Sequence, residues 1–299
     1  MVPDIRQEDI ERVSSVLKSG MLVQGKQVAE LENKIAEYIG VKHAIAVSNG
    51  TASLHLTLLA LNIGSGDEVI VPSFSFIATA NVVELVGAKP IFADIDINTC
   101  NINTQKIENV ITSRTKAIIP VHEFGLCCDI EEICQLAEKH KLHVIEDAAC
   151  ALGSSSTQGF AGSFGTAGSF SFHPRKAITS GEGGMIVTNY PELAARLRAL
   201  RNHGIDPTNA KMDFIAAGYN YRLTDIQAAL VLSQFERLGS ILKRRDEISR
   251  IYFNELRNVS GILLPKVPVG KKHSWQSFHI IIEGTNARDT IINLSLIHI

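Results

Sequence analysis

The sequence predicts an α/β fold: a large domain with a mostly parallel central sheet covered by helices, followed by an incomplete α+β small domain. Three observations predict it. Strand-length apolar runs alternate with helical patterns through the first two thirds of the chain, and that alternation is the signature of βαβ units and a parallel sheet. Glycine-rich turns, Gly64-Ser65-Gly66-Asp67 and Gly87-Ala88-Lys89-Pro90, return helices to strands. Beyond residue 235 the pattern changes to a long charged helix and two strand-like runs of a separate unit. The chain is therefore divided into a large domain, 1–235, and the start of a small one, 236–299.

Taken in order, Glu8 to Lys18 and Gln27 to Tyr38 carry apolar residues at helical spacing, punctuated by Gly20 and Gly25. The strands are expected at Ala44 to Val47, Glu68 to Val71, Pro90 to Ala93, Ala117 to Val121 and His143 to Ile145. Helices are expected between them, at Ala52 to Leu61, Ala78 to Val86, Thr104 to Ile111 and Ile130 to Lys141. Ser169 to Phe172 and Met185 to Thr188 read as two more strands, Pro191 to Asn202 and Thr224 to Leu242 as covering helices. A charged helix runs on through Asn258, and Gly261 to Pro265 and His273 to Glu283 read as an antiparallel pair. Residues 287–299 begin like a helix that would cover this pair but end on an apolar run without a cap, so the chain is expected to be cut short of a longer protein.

Composition excludes several classes. With 299 residues, 45% hydrophobic and 20% charged, the chain can bury a sizeable core. A formal charge of -2 gives no basic field for nucleic acid or an anionic membrane surface. No apolar run approaches the ~18 residues of a membrane span, and the polar, acidic start is no signal peptide. The five cysteines, Cys100, Cys127, Cys128, Cys134 and Cys150, form neither C-x-x-C nor a zinc pattern. They read as reduced thiols of a cytoplasmic protein without a metal site.

The chemistry centres on Gly168 to Lys176 and the glycines Gly181-Glu182-Gly183-Gly184. Lys176 falls between two strands, after Pro174, on a backbone with no repeating structure. Alone it reads most simply as a surface lysine of a hairpin loop, yet a lysine so placed also suits Schiff-base chemistry with a carbonyl, including the aldehyde of pyridoxal phosphate. That cofactor wants a carboxylate on its ring nitrogen, donors around its phosphate and an aromatic face. Asp147, in Val144-Ile145-Glu146-Asp147-Ala148-Ala149, stands at the carboxyl end of a strand, where open α/β sheets bind ligands; it would equally serve as a helix N-cap. Val47 to Ser53 combines a strand end, small residues and a helix start, which suits a phosphate as well as an ordinary capped helix, and carries no dinucleotide or P-loop fingerprint. Phe74 and Phe76 end another strand, either one available to cover a flat ring or to pack a core.

Taken together and in this order, Ser48-Asn49-Gly50-Thr51-Ala52, Glu146-Asp147-Ala148-Ala149, Ser171-Phe172-His173-Pro174-Arg175-Lys176, Gly181-Glu182-Gly183-Gly184 and Gly218-Tyr219-Asn220-Tyr221-Arg222 resemble the pyridoxal phosphate-dependent sugar aminotransferases of the DegT/DnrJ/EryC1/StrS family, from residue 3 to about 285. The resemblance implies the type I fold of pyridoxal phosphate-dependent transferases. It also implies that Lys176 forms the internal aldimine, Asp147 pairs with the pyridinium and Phe76 stacks on the ring, while Gly50, Thr51 and Ser171 hold the phosphate. Asn220 would reach the phosphate of the other subunit in a homodimer with shared sites. Cys150 stands where the family usually has Gln or His against the ring hydroxyl, which puts that contact in question. The implied reaction moves an amino group, from glutamate, onto the keto carbon of a nucleotide-linked keto-deoxysugar for polysaccharide synthesis, in two half-reactions with Lys176 shuttling the proton. The family's dehydratase branch replaces this lysine with histidine, so Lys176 speaks against it; a silent pyridoxal phosphate-binding homologue or inactive fragment is the other alternative.

Overall fold

The computed structural model describes residues 2–206, 212–284 and 287–297. Its helices are α1 Gln7–Ser19, α2 Lys26–Ile39, α3 Gly50–Ala60, α4 Ala78–Leu85, α5 Thr104–Glu108, α6 Ile130–His140, α7 Pro191–Arg201, α8 Asp225–Phe235, α9 Leu238–Leu256 and α10 Ala287–Ile297. Its strands are β1 His43–Val47, β2 Glu68–Pro72, β3 Lys89–Ala93, β4 Thr115–Ile118, β5 His143–Asp147, β6 Ala167–Ser171, β7 Gly184–Thr188, β8 Ile262–Leu263 and β9 Ile281–Ile282.

Strands β1 to β7 form one sheet in the order β1-β7-β6-β5-β4-β2-β3. Only β7 runs against its neighbours, pairing antiparallel with β1 and β6, so the expected mostly parallel sheet is what forms. Its inner strands are mostly buried because both faces are covered, whereas the edge strand β3 is largely open. On one face α2, α6 and α8 bury Leu31, Ile35, Ile133, Val231 and Leu232. On the other, α3, α4 and α7 bury Leu54, Leu58, Val82, Leu193 and Leu197. Crossovers of this kind bring the carboxyl ends of the parallel strands to one edge, where the chain turns into helix starts and loops.

Several boundaries differ from the sequence reading. The helix expected from Thr224 to Leu242 is two helices, α8 and α9, which meet at Glu236 and Arg237. Nothing in the apolar periodicity marks that break. It coincides with a tertiary contact, because Arg237 grips the fully buried Asp9 of α1 with both terminal nitrogens, at 2.7 and 2.8 Å. The strand expected to run to Val121 stops at Ile118, and Val121 makes only a single parallel bridge to Asp147. Helix α5 likewise ends at Glu108 rather than Ile111. The strand expected from His273 to Glu283 shrinks to Ile281–Ile282, which pairs antiparallel with Ile262–Leu263. Residues 273–278 are instead held against the large sheet's loops, where Ser274 N donates to Gly125 O at 3.0 Å and Ser277 N to Phe124 O at 3.3 Å. Residues 298 and 299 of the expected terminal helix lie outside the described residues.

Candidate active site

The lysine loop is fixed both by its own hydrogen bonds and by two helices packed against it. Between β6 and β7 the chain closes on itself through Phe172 N to Gly183 O and Ser180 N to Phe172 O, at 2.8 and 3.0 Å. Helix α8 then clamps it: Gln234 accepts from Thr179 N at 3.1 Å and donates to Thr179 O at 2.7 Å, while Gln227 donates to Glu182 O at 2.7 Å. Arg245 of α9 donates to the carbonyl of Lys176 itself at 3.3 Å. Lys176 is thus half-buried on a fixed backbone, and its amine donates to Cys150 Sγ at 3.0 Å.

Asp147 closes β5 and is 7% exposed. Each carboxylate oxygen has one donor: Oδ2 accepts from Thr79 Oγ1 at 2.9 Å and Oδ1 from Ala149 N at 3.2 Å. Its neighbour Glu146 points to the other face of the strand, as alternation requires. There it accepts from Gly162 N, Phe164 N and Gly165 N at 2.7 to 2.8 Å and meets His122 Nε2 at 2.9 Å. The acidic pair is therefore split, with Asp147 facing the cleft and Glu146 shaping the loop before β6.

At the end of β1, Asn49 caps α3 by accepting from Ala52 N at 2.7 Å. Gly50 follows where a Cβ would lie 2.9 Å from Ser171 Cβ, so the start of α3 and the end of β6 approach as closely as only glycine permits. The cradle presents the positive end of α3 beside the Ser171 and Thr51 hydroxyls. Gly50, Thr51, Phe76, Asp147, Cys150, Ser171 and Lys176 all line one cleft of about 860 Å³. Phe76 is 78% exposed, a ring on the cleft wall with little packed against it. Asn220 is the exception: it is exposed, pairs with Asn202 and does not line this cleft.

Two further residues, one beside the cleft and one in its wall, carried no local signal in the sequence. Thr79 is the second residue of α4 and reaches Asp147 only through the crossing of that helix over the sheet. Glu123 follows β4 in a short 3₁₀ turn, and no periodicity separates it from a surface glutamate. It is 7% exposed, lines the cleft, and its Oε1 has no hydrogen-bond partner. Burial, reinforced by the Asp147 charge, pushes its carboxyl up to about 7, against the opposing pull of Ser75, Lys176 and the Phe124 amide. Burial also pushes the Cys150 thiol up, although the Lys176 charge opposes it.

Pyridoxal phosphate, the cofactor implied by the sequence, fits this donor set. Lys176 is the lysine lining the cleft among the described residues, Asp147 is a buried carboxylate facing it, and the Gly50–Ser171 cradle is narrow enough to exclude a side chain and rich enough in donors for a phosphate.

A profile of the DegT/DnrJ/EryC1/StrS aminotransferase family matches residues 3–295. The chain is 45% identical over 271 residues to GDP-perosamine synthase of Caulobacter vibrioides, covering 90% of this chain and 73% of that protein. It is 40% identical over 295 residues to the spore coat polysaccharide biosynthesis protein SpsC of Bacillus subtilis, covering 96% of this chain and 76% of that one. The pyridoxal phosphate form of the putative sugar aminotransferase Spr1654 from Streptococcus pneumoniae superposes with a TM-score of 0.93 at 30% identity, over 98% of this chain and 80% of that one. Sequence, fold and the residues gathered at the sheet edge agree, and the chain belongs to the DegT/DnrJ/EryC1/StrS family of pyridoxal phosphate-dependent aminotransferases.

Proposed function

We propose that this protein is a sugar aminotransferase that moves an amino group from glutamate to the keto carbon of a nucleotide-linked deoxysugar, with Lys176 as the amine that holds the cofactor. The observation that carries the reading is the placement of Lys176 and Asp147 in one cleft that also contains the Gly50–Ser171 cradle. Bound pyridoxal phosphate supplies an electron sink for the carbon that loses its proton. Asp147, with one donor on each oxygen, would hold a proton on the ring nitrogen; Thr79 keeps it aimed. Lys176, once displaced by substrate, would move the proton between the two carbons, a task that its clamped backbone and flexible stem suit. Gly50, Thr51 and Ser171 would hold the phosphate and Phe76 would cover the ring. The sugar and its nucleotide are supported by the relatives that act in perosamine and coat polysaccharide synthesis.

A homodimer follows as part of the same proposal. Asn220 is exposed outside its own cleft, in a segment where Phe214, Ile215 and Tyr219 are exposed as well, and a second copy would cover these apolar side chains and bring Asn220 to its phosphate site. Cytoplasmic residence belongs to the proposal too; among the described residues no helix is long and apolar enough to cross a membrane. The test is borohydride reduction of the protein with pyridoxal phosphate, followed by peptide mass spectrometry and sedimentation. The label is expected on Lys176 of a dimer, and glutamate is expected to convert the visible cofactor spectrum to the aminated form. A label on another lysine, or a spectrum indifferent to glutamate, overturns the reading.

A further inference from the structure

Glu123 is a buried ionisable group of the cleft that the proposed reaction leaves without a task. Its backbone is fixed from several sides. Glu123 N donates to Asn101 Oδ1 at 2.8 Å, and the next residue, Phe124, holds a left-handed φ of 54° while its ring stacks on His279 at 4.4 Å. Gly125 follows at φ +97°, where a Cβ would collide with Ser274 Oγ and with the carbonyl of Cys150. Ser274 Oγ in turn donates to Cys150 O at 3.2 Å, so Gly125 and Ser274 brace from behind the wall that Glu123, Phe124 and Cys150 present to the cleft. Backbone held in a sparsely populated region beside a ligand cleft costs free energy and persists only where the surroundings enforce it. Here it directs a carboxyl into the cleft with one oxygen unmatched. A buried polar atom without a partner costs folding free energy, unless a ligand supplies the partner.

The shape of the cofactor says which partner. Its ring carries the aldehyde carbon opposite the nitrogen, and the phosphate arm and the ring oxygen flank the aldehyde on either side. If the proposed reading holds, Asp147 takes the nitrogen, Lys176 the aldehyde carbon and the Gly50–Ser171 cradle the phosphate. The edge left over is the ring oxygen, and the wall left over is that of Glu123 and Cys150. A thiol is a weak partner for a charged oxygen. We propose that Glu123 is a cofactor-binding residue of this chain, its carboxyl O–H donating to the ring oxygen of pyridoxal phosphate. Its surroundings shift the carboxyl toward its protonated form: burial and the Asp147 charge favour the proton, Lys176 opposes it, and Cys150, Cys100 and His279 complete the surroundings. An ionised carboxylate in the same place would repel the ring oxygen instead.

The inference rests on the reading of the cleft as a pyridoxal phosphate site, and one experiment separates the two. The visible band of the cofactor held by the intact protein is titrated with pH for the parent, Glu123→Gln and Glu123→Leu. A donor to the ring oxygen stabilises the state that has lost its proton, so its removal raises the midpoint. Glu123→Leu is expected to raise it by about one pH unit and to release cofactor about tenfold faster on dialysis. Glu123→Gln, whose amide still donates, is expected to stay near the parent. As a measurement independent of folding in the leucine variant, the infrared spectrum of the parent at neutral pH should show a protonated carboxyl band that Glu123→Gln lacks. A midpoint unmoved in Glu123→Leu, a midpoint lowered in Glu123→Gln, or no such infrared band overturns the proposal. So does an altered KM for the sugar with an unaltered cofactor titration, which would place the carboxyl against substrate. A parent that binds no pyridoxal phosphate at Lys176 would overturn the underlying reading, and this proposal with it.

Discussion

At the scale of single residues, the cleft shows why one carboxylate of an adjacent pair faces the chemistry and the other does not. Strand alternation sends Asp147 to the cleft and Glu146 to the loop amides. Asp147→Asn should keep the cofactor bound through the phosphate cradle while slowing the half-reaction with glutamate by about a thousandfold, because a neutral amide no longer favours a protonated ring nitrogen. Thr79→Val should act in the same direction and more mildly, by about tenfold, since it removes one charge-assisted hydrogen bond and leaves the carboxylate in place. Single-turnover absorbance separates binding from rate in both. Parent-like rates in Asp147→Asn would remove that residue from its proposed role.

At the scale of elements, Lys176 owes its position to a helix more than fifty residues away. Gln234 of α8 makes a reciprocal pair with the Thr179 backbone, and both groups of Thr179 are otherwise sealed from water. Gln234→Leu keeps the volume and leaves a buried N–H and C=O unmatched, which should cost about 2 kcal/mol of stability. The loss should be local before it is global. Amide exchange is expected to quicken in residues 176–183 while β5 stays protected, and an unchanged exchange pattern in that loop would show that β6 and β7 hold it without α8. Glycine has a comparable role at Gly50, where the meeting of α3 and β6 leaves no room for a side chain.

At the scale of the whole molecule, the N-terminal helix is tied to the far side of the chain by charge. Asp9 is fully buried; burial raises its carboxyl, but the Arg237 fork, Ser233 and the Arg6 amide outweigh that and bring it down to about 2. A carboxyl whose folded value lies below its ordinary value stabilises the fold above that ordinary value and loses the contribution as pH falls toward the folded one. Arg237→Met should therefore cost about 2 kcal/mol near neutral pH, after allowing for solvent screening at the partly exposed arginine. The gap to the parent should narrow between about pH 4 and pH 2, as Asp9 takes up its proton in the variant first and then in the parent. Urea unfolding at a series of pH values measures it, and a gap that stays constant with pH would show that Asp9 is not the group responsible.

The sequence by itself determined the alternation of strands and helices, the parallel sheet and seven of the residues that come to line the cleft, though not the place of Asn220. These are local matters, because apolar period, glycine turns and short motifs act within a dozen residues of where they stand. It overran the end of the strand near Val121 and joined α8 to α9, because those ends are set by partners distant in the chain: Asp147 for Val121 and Asp9 for Arg237. It read 273–283 as one strand because apolar content cannot tell a strand from a segment held by loops, and here Gly125 and Phe124 hold it. Only the tertiary structure decided that Thr79 supports Asp147, that Gln234 anchors the lysine loop, and that Glu123 turns into the cleft. A polar residue acquires such a role from what surrounds it, and burial and unmatched hydrogen bonds exist only once the chain has closed around the site.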